Sequence, residues 1–156
     1  MGKAWYRLDN AARVFAALAS RRTTTVFRVA ATLRAPVDRA RLEAALAAIM
    51  PRFPTFRVRL RTGLFWHWLE ELDGAPTVRE ERRPPCRPMT RAADGPWQLR
   101  VLVRDRRIAL ECSHVLTDGS GALRFLVALL AEYLSGGGVR VPADPRIPRA
   151  DDEPHP

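Results

Sequence analysis

Between Trp97 and Leu134 the spacing of apolar residues changes once, from every second position to every third or fourth, and this constrains the fold more than any other feature of the chain. In "WQLRVLVRDRRIALECSH" (97–114), Leu99, Val101 and Val103 alternate with other residues up to Asp105 and Arg106, after which Ile108, Leu110 and Cys112 resume the alternation. Successive side chains of a strand point to opposite faces, so two such runs around a short polar break predict an antiparallel hairpin. "GSGALRFLVALLAEYL" (119–134) follows helical spacing instead. A half-apolar hairpin running straight into an apolar helix needs a sheet with helices packed on it.

The rest of the chain extends that pattern. "DNAARVFAALAS" (9–20) predicts a short amphipathic helix, and "TVFRVAATL" (25–33) a half-buried strand with Phe27, Val29, Ala31 and Leu33 on one side. "VDRARLEAALAAIM" (37–50) predicts a helix capped by Asp38, with Leu42, Ala45, Leu46, Ile49 and Met50 on one face, ended by Pro51. "FRVRLRTGLFWHWLEEL" (56–72) reads as a second hairpin turning around Thr62 and Gly63. The segment 80–96 holds four prolines and no periodicity, so it is expected to be a loop. The fold class is therefore α+β, an α/β sandwich with a mixed, largely antiparallel sheet. Residues 1–135 form one unit, followed by a Gly/Pro-rich linker or disordered tail over 136–156. A chain of 156 residues suits one compact domain. In the last helix Leu123, Leu126, Val127, Leu130 and Leu134 fill one face, while Ala122, Phe125, Leu129 and Tyr133 form a second flank. One sheet cannot cover both, so self-association as a homodimer is expected.

The net charge of +9 raises nucleic acid as a partner, but the 26 basic residues, all arginine except Lys3, are spread from end to end. That distribution fits codon bias better than a binding patch, so no nucleic acid is expected, although a modest positive field could attract a phosphorylated cofactor. No run of 18 apolar residues and no charged-then-apolar leader occurs, so the expectation is a cytoplasmic protein without a membrane span. Cys86 and Cys112 read as two reduced thiols, and no metal-ligand spacing is present.

The chemistry-bearing stretch is "LECSHVLTDGSGALRFL" (110–126). His114 shares the parity of Ile108, Leu110 and Cys112, so it is expected at the strand's end, toward the covered face. A neutral imidazole there can act as a general base. Asp118 and Gly119 stand where the chain must turn into a helix, and the amides of that helix start favour a developing anion. The plainer reading is a structural histidine before an ordinary Asp-Gly turn. The pattern H-x-x-x-D-G is expected by chance about once in a hundred such sequences, so it is moderately specific. Cys112 as a nucleophile beside His114 fails because strand neighbours two apart sit ~6.5 to 7 Å from each other. His67 lies among aromatics and reads as structural, and Trp66 and Trp68 as core or interface residues.

These residues resemble a known family. "HVLTDG" (114–119) matches the H-x-x-x-D-G signature of the superfamily of chloramphenicol acetyltransferase, wax ester synthases and peptide-synthetase condensation domains. Condensation domains usually carry a further histidine where this chain has Ser113. "RFPTFRVRLRTGLFW" (52–66), "WYRLDNAARVF" and "RPPCRP" are similar to alcohol acetyltransferases, so the resemblance covers about residues 5–135. It implies that His114 is the general base for an alcohol acceptor attacking the thioester of acyl-CoA, here a co-substrate, with no permanently bound cofactor. It implies that Asp118 is structural and pairs with an arginine near the "RFP" run, for which Arg57 is the candidate, and that Gly119 leaves room for substrate. Superfamily members have two similar lobes and more than twice this length. The chain is thus expected to be an N-terminal lobe whose partner is a missing C-terminal lobe or a second copy. The alternative is a non-catalytic half-lobe that binds other proteins.

Overall fold

The computed structural model describes residues 5–8, 13, 14, 16, 24–64 and 66–151. The elements run β1 (Trp5–Arg7), β2 (Val26–Thr32), α1 (Arg39–Ile49), two 3-10 turns (Met50–Arg52 and Pro54–Phe56), β3 (Val58–Thr62) and β4 (His67–Glu71). They continue as β5 (Val78–Glu80), α2 (Arg91–Asp94), β6 (Leu99–Arg104), β7 (Arg107–Ser113) and α3 (Gly119–Gly136). The helix expected over 9–20 lies outside the described residues except at Arg13, Val14 and Ala16.

Two sheets form rather than one. The larger has the order β2-β7-β6-β5, antiparallel except for the parallel β5–β6 pair, and the smaller is an antiparallel β1-β4-β3. The hairpin of β6 and β7 turns at Asp105, whose φ of 51° lies in the left-handed region that Asp tolerates in tight turns. Its register sets Leu99 opposite Cys112, Val101 opposite Leu110 and Val103 opposite Ile108. These residues share a face with Phe27, Val29 and Ala31 of β2, and α1 and α3 pack on it.

Asp38 caps α1 by accepting from the Arg41 amide at 3.1 Å, and Leu42, Ala45, Leu46 and Ile49 form its buried stripe. Helix α3 buries Ala122, Phe125, Leu126, Leu129 and Tyr133. Phe125 stacks on Phe56 at 4.6 Å between centroids and meets Phe53 edge-on at 4.9 Å, which is what the "RFPTF" turns contribute. At the other end the Tyr133 hydroxyl accepts from the Asp38 amide at 3.0 Å and from Arg41 Nη2 at 2.9 Å, so α1 and α3 run antiparallel. The second apolar flank of α3 is thus buried, Tyr133 against α1 and Phe125 against the turns that follow it, and Leu123 is the large apolar residue of the helix left exposed.

The opposite face of the larger sheet is charged and also buried. Glu111 is 2% exposed and Arg100 6%. Glu111 accepts from Arg28 at 2.7 Å, from Arg100 at 2.8 Å and from the Cys86 amide at 2.8 Å. Arg100 also meets Asp94 at 3.2 Å and donates to the Arg87 carbonyl. Glu81 bridges Arg28 at 2.7 Å and Arg107 at 2.8 Å. The proline-rich segment expected to be a loop is therefore fastened across this face and contributes the short α2. Among the described residues beyond α3 there is no helix or strand, yet Pro148 is buried, Ala150 packs against the core and Arg149 Nη2 donates to Ser135 Oγ at 2.9 Å.

Candidate functional site

Strand β7 ends at Ser113, and the chain turns into α3 within five residues. The His114 amide still donates to the Thr25 carbonyl of the neighbouring chain segment at 2.8 Å. Next, the Val115 amide donates to Ser113 Oγ at 3.2 Å and the Leu116 amide to the Ser113 carbonyl at 2.9 Å. The turn is held by its own backbone, which fixes the Cα of His114 against the sheet. The imidazole is partly buried and stacks on Phe27, with centroids 4.3 Å apart and planes inclined by 27°. Val115 is buried with Leu8 in a second small core that Leu60 and Leu69 of the smaller sheet complete. His114 thus stands where the two cores meet.

Asp118 is the N-cap of α3. Its Oδ1 accepts from the Gly121 amide and the Ser120 hydroxyl, both at 2.8 Å, and these bonds hold its carboxyl below the usual aspartate range. The side chain is exposed. Arg57 goes elsewhere: its Nε donates to the Leu72 carbonyl at 3.2 Å and its Nη2 lies 3.8 Å from Asp73. The expected Arg57–Asp118 pair is therefore not formed. The physical reason is that a helix start leaves amides needing an acceptor three residues from the cap, and Asp118 fills that role locally.

A side chain at Gly119 would meet nothing within 4 Å, so this exposed glycine is not required by packing. At Gly121 a Cβ would collide with the Thr117 hydroxyl, which would have to turn away. The sequence reading missed Gly121, and also Phe27 as the ring beneath His114. The alternation of β2 does put Phe27 on the covered face, but its pairing with Cys112 is a register that neither strand's sequence contains.

The other candidates have structural surroundings. Cys112 is fully buried, and burial, with Glu111 beside it, pushes its thiol up to about 12, so no thiolate forms at neutral pH. Both cysteines are free thiols. His67 Nδ1 lies 3.1 Å from Thr62 Oγ1 across the hairpin. Trp66 is exposed and Trp68 half-buried. Among the described residues no cluster of three or more His, Cys, Asp or Glu could hold a metal ion, and no helix is long and apolar enough to cross a membrane.

No family model and no curated protein matches the sequence. Solved structures do match the fold. The starter condensation domain of rhizomide synthetase superposes with a TM-score of 0.66 at 14% identity, covering 90% of this chain and 40% of that one. Polyketide synthase associated protein 5 from Mycobacterium tuberculosis gives 0.62 at 19% identity, covering 92% and 37%. The X-domain from teicoplanin biosynthesis gives 0.63 at 21% identity, covering 87% and 34%. The chain thus spans well under half the length of each. It has the α+β fold of one lobe of the chloramphenicol acetyltransferase-like class to which condensation domains conform.

Proposed function

We propose that this chain is one lobe of an acyltransferase in which His114 is the general base and acyl-CoA the acyl donor to an alcohol. The observation that carries this reading is the placement of His114: a base on the turn that ends a central strand, on the lobe fold shared with condensation domains. A neutral ring nitrogen takes the acceptor's hydroxyl proton as the oxygen attacks the thioester carbon. The carbon–sulfur bond then breaks, and the imidazolium returns the proton to the departing thiolate. Stacking on Phe27 restricts the ring to one plane, and the Asp118 cap fixes the turn that carries it. Holding both substrates in reacting geometry takes a facing wall, which a second lobe or a second copy supplies. The chain alone is expected to turn over little or nothing.

A second reading is favoured by the relation of one of those structures to a partner. A solved X-domain from teicoplanin biosynthesis is in complex with OxyB. On this reading the chain binds another protein and does no chemistry. Mass spectrometry of acetyl transfer from acetyl-CoA to a panel of alcohols, with the chain alone and with a candidate second lobe, separates the two. Acetylated product that requires both supports the acyltransferase; a stable complex without product supports the binding module.

A further inference from the structure

The charged face of the larger sheet carries two adjoining hollows of about 270 and 730 Å³ that share Glu80, Glu81, Arg82, Arg83 and Pro84. Together eight arginines and four carboxylates line them. The carboxylates are committed: Glu81 to Arg28 and Arg107, Glu111 to Arg28 and Arg100, Asp94 to Arg79 and Arg100, and Glu80 to Arg82. Arg83, Arg87 and Arg104 make no side-chain hydrogen bond or ion pair among the described residues, and they stand in the hollows with a surplus of positive charge. Like charges in one concavity repel, and this arrangement is relieved by an anion. Two further observations point the same way. Arg100 is nine-tenths buried and lines the smaller hollow, so water screens its positive charge little there. The segment bearing Arg82, Arg83 and Arg87 is also prearranged: the Cys86 amide is tied to Glu111, the Arg87 carbonyl to Arg100, and Cys86 is held at a φ of 56°. Guanidinium forks on a fixed support lose little freedom on binding and match phosphate oxygens two at a time.

We propose that this double hollow binds the pyrophosphate or longer polyphosphate group of a small molecule. The lining favours that class over macromolecules. It holds no aromatic ring on which bases could stack, as single-stranded nucleic acid requires. It also holds no large apolar anchor for a protein partner beyond Leu102. The proposal is independent of the role of His114, whose ring lies with Phe27 on the helix-covered face of the sheet.

The test is isothermal titration calorimetry of the full chain with sodium tripolyphosphate at low ionic strength. The expected result is saturable one-to-one binding that weakens as salt is added. The double variant Arg83→Ala/Arg87→Ala removes side chains without bonds of their own, so its melting temperature should be unchanged. Its affinity should fall by about tenfold or more, the effect of losing a charge-assisted contact, while Arg34→Ala, at an exposed arginine outside the lining, should leave it intact. ADP and coenzyme A as further ligands distinguish the source: equal affinities mean that the phosphates alone are recognised, and tighter binding of one assigns the nucleotide or the coenzyme. Absence of saturable binding at low salt, or binding undiminished in the double variant, overturns the proposal. Tight binding of a single-stranded RNA that tripolyphosphate cannot displace also overturns it, in favour of a nucleic-acid surface.

Discussion

The two faces of the β2-β7-β6-β5 sheet come from alternate residues of the same strands, and both are buried, but they are held by different physics. Under the helices, Leu99, Val101, Ile108, Leu110 and Cys112 are removed from water by apolar side chains. Under the segment 81–94, Arg28, Arg100 and Glu111 are removed from water by each other. The apolar face contributes stability directly through the area it buries. The charged face is close to neutral as a whole, because desolvation offsets attraction, but it is intolerant of losing one member. What the ionic face adds is position: it fixes a proline-rich segment that has no apolar stripe of its own.

The largest expected effects come from breaking either face singly. Phe125→Ala, which removes the ring packed on Phe53 and Phe56, should cost about 3 to 5 kcal/mol, measured by urea denaturation. Glu111→Gln should cost about 3 kcal/mol, since it leaves the buried Arg100 with Asp94 alone and the half-buried Arg28 with Glu81 alone. The two faces are then told apart by a double variant. Arg100→Met/Glu111→Leu should lose clearly less than the sum of its single changes, whereas Phe125→Ala combined with Glu111→Gln should add without coupling.

Acid separates them next. Burial works to raise the Glu81 carboxyl, but its hydrogen bonds to Arg28 and Arg107 outweigh burial and hold it below the usual glutamate range. A depressed value means that the charged form stabilises the fold at pH above about 4.3, the unfolded glutamate value, and that this contribution is lost as pH falls through the folded value. The melting temperature should therefore decline with acid over that window, and Glu81→Gln should flatten the decline while Phe125→Ala leaves its slope unchanged.

A smaller effect is expected at the helix start. Asp118→Ala removes the cap of α3 and should lower the melting temperature by less than Glu111→Gln does. Arg57→Ala should add to it without coupling, because Arg57 bonds Leu72 and Asp73 instead. Strong non-additivity in thermal melts would restore the pairing that the sequence resemblance implied.

The apolar face was legible from the sequence because its signal is local. Periods of two and of three to four, the break at Asp105 and Arg106, and the cap at Asp38 each lie within a few residues. The charged face was not legible. Glu111 sits in an alternation in which it reads as solvent-facing, and its cover comes from a segment some 25 residues earlier with no period of its own. The same non-locality hid β5, three residues long and paired in parallel with β6, and split the expected single sheet into two. At the site, His114 and Asp118 could be picked out by type and spacing. Phe27 under the imidazole and the close approach of Thr117 to Gly121 both depend on how distant or turned backbone segments meet.

The most direct test of the central proposal is single-turnover acyl transfer from acetyl-CoA by the chain combined with its second lobe, comparing the wild type with His114→Ala. As general base, His114 should account for about 10² to 10⁴ of the rate, with the variant still folded and still assembled with the second lobe. A folded, assembled His114→Ala complex that transfers the acyl group at the wild-type rate would contradict the assignment.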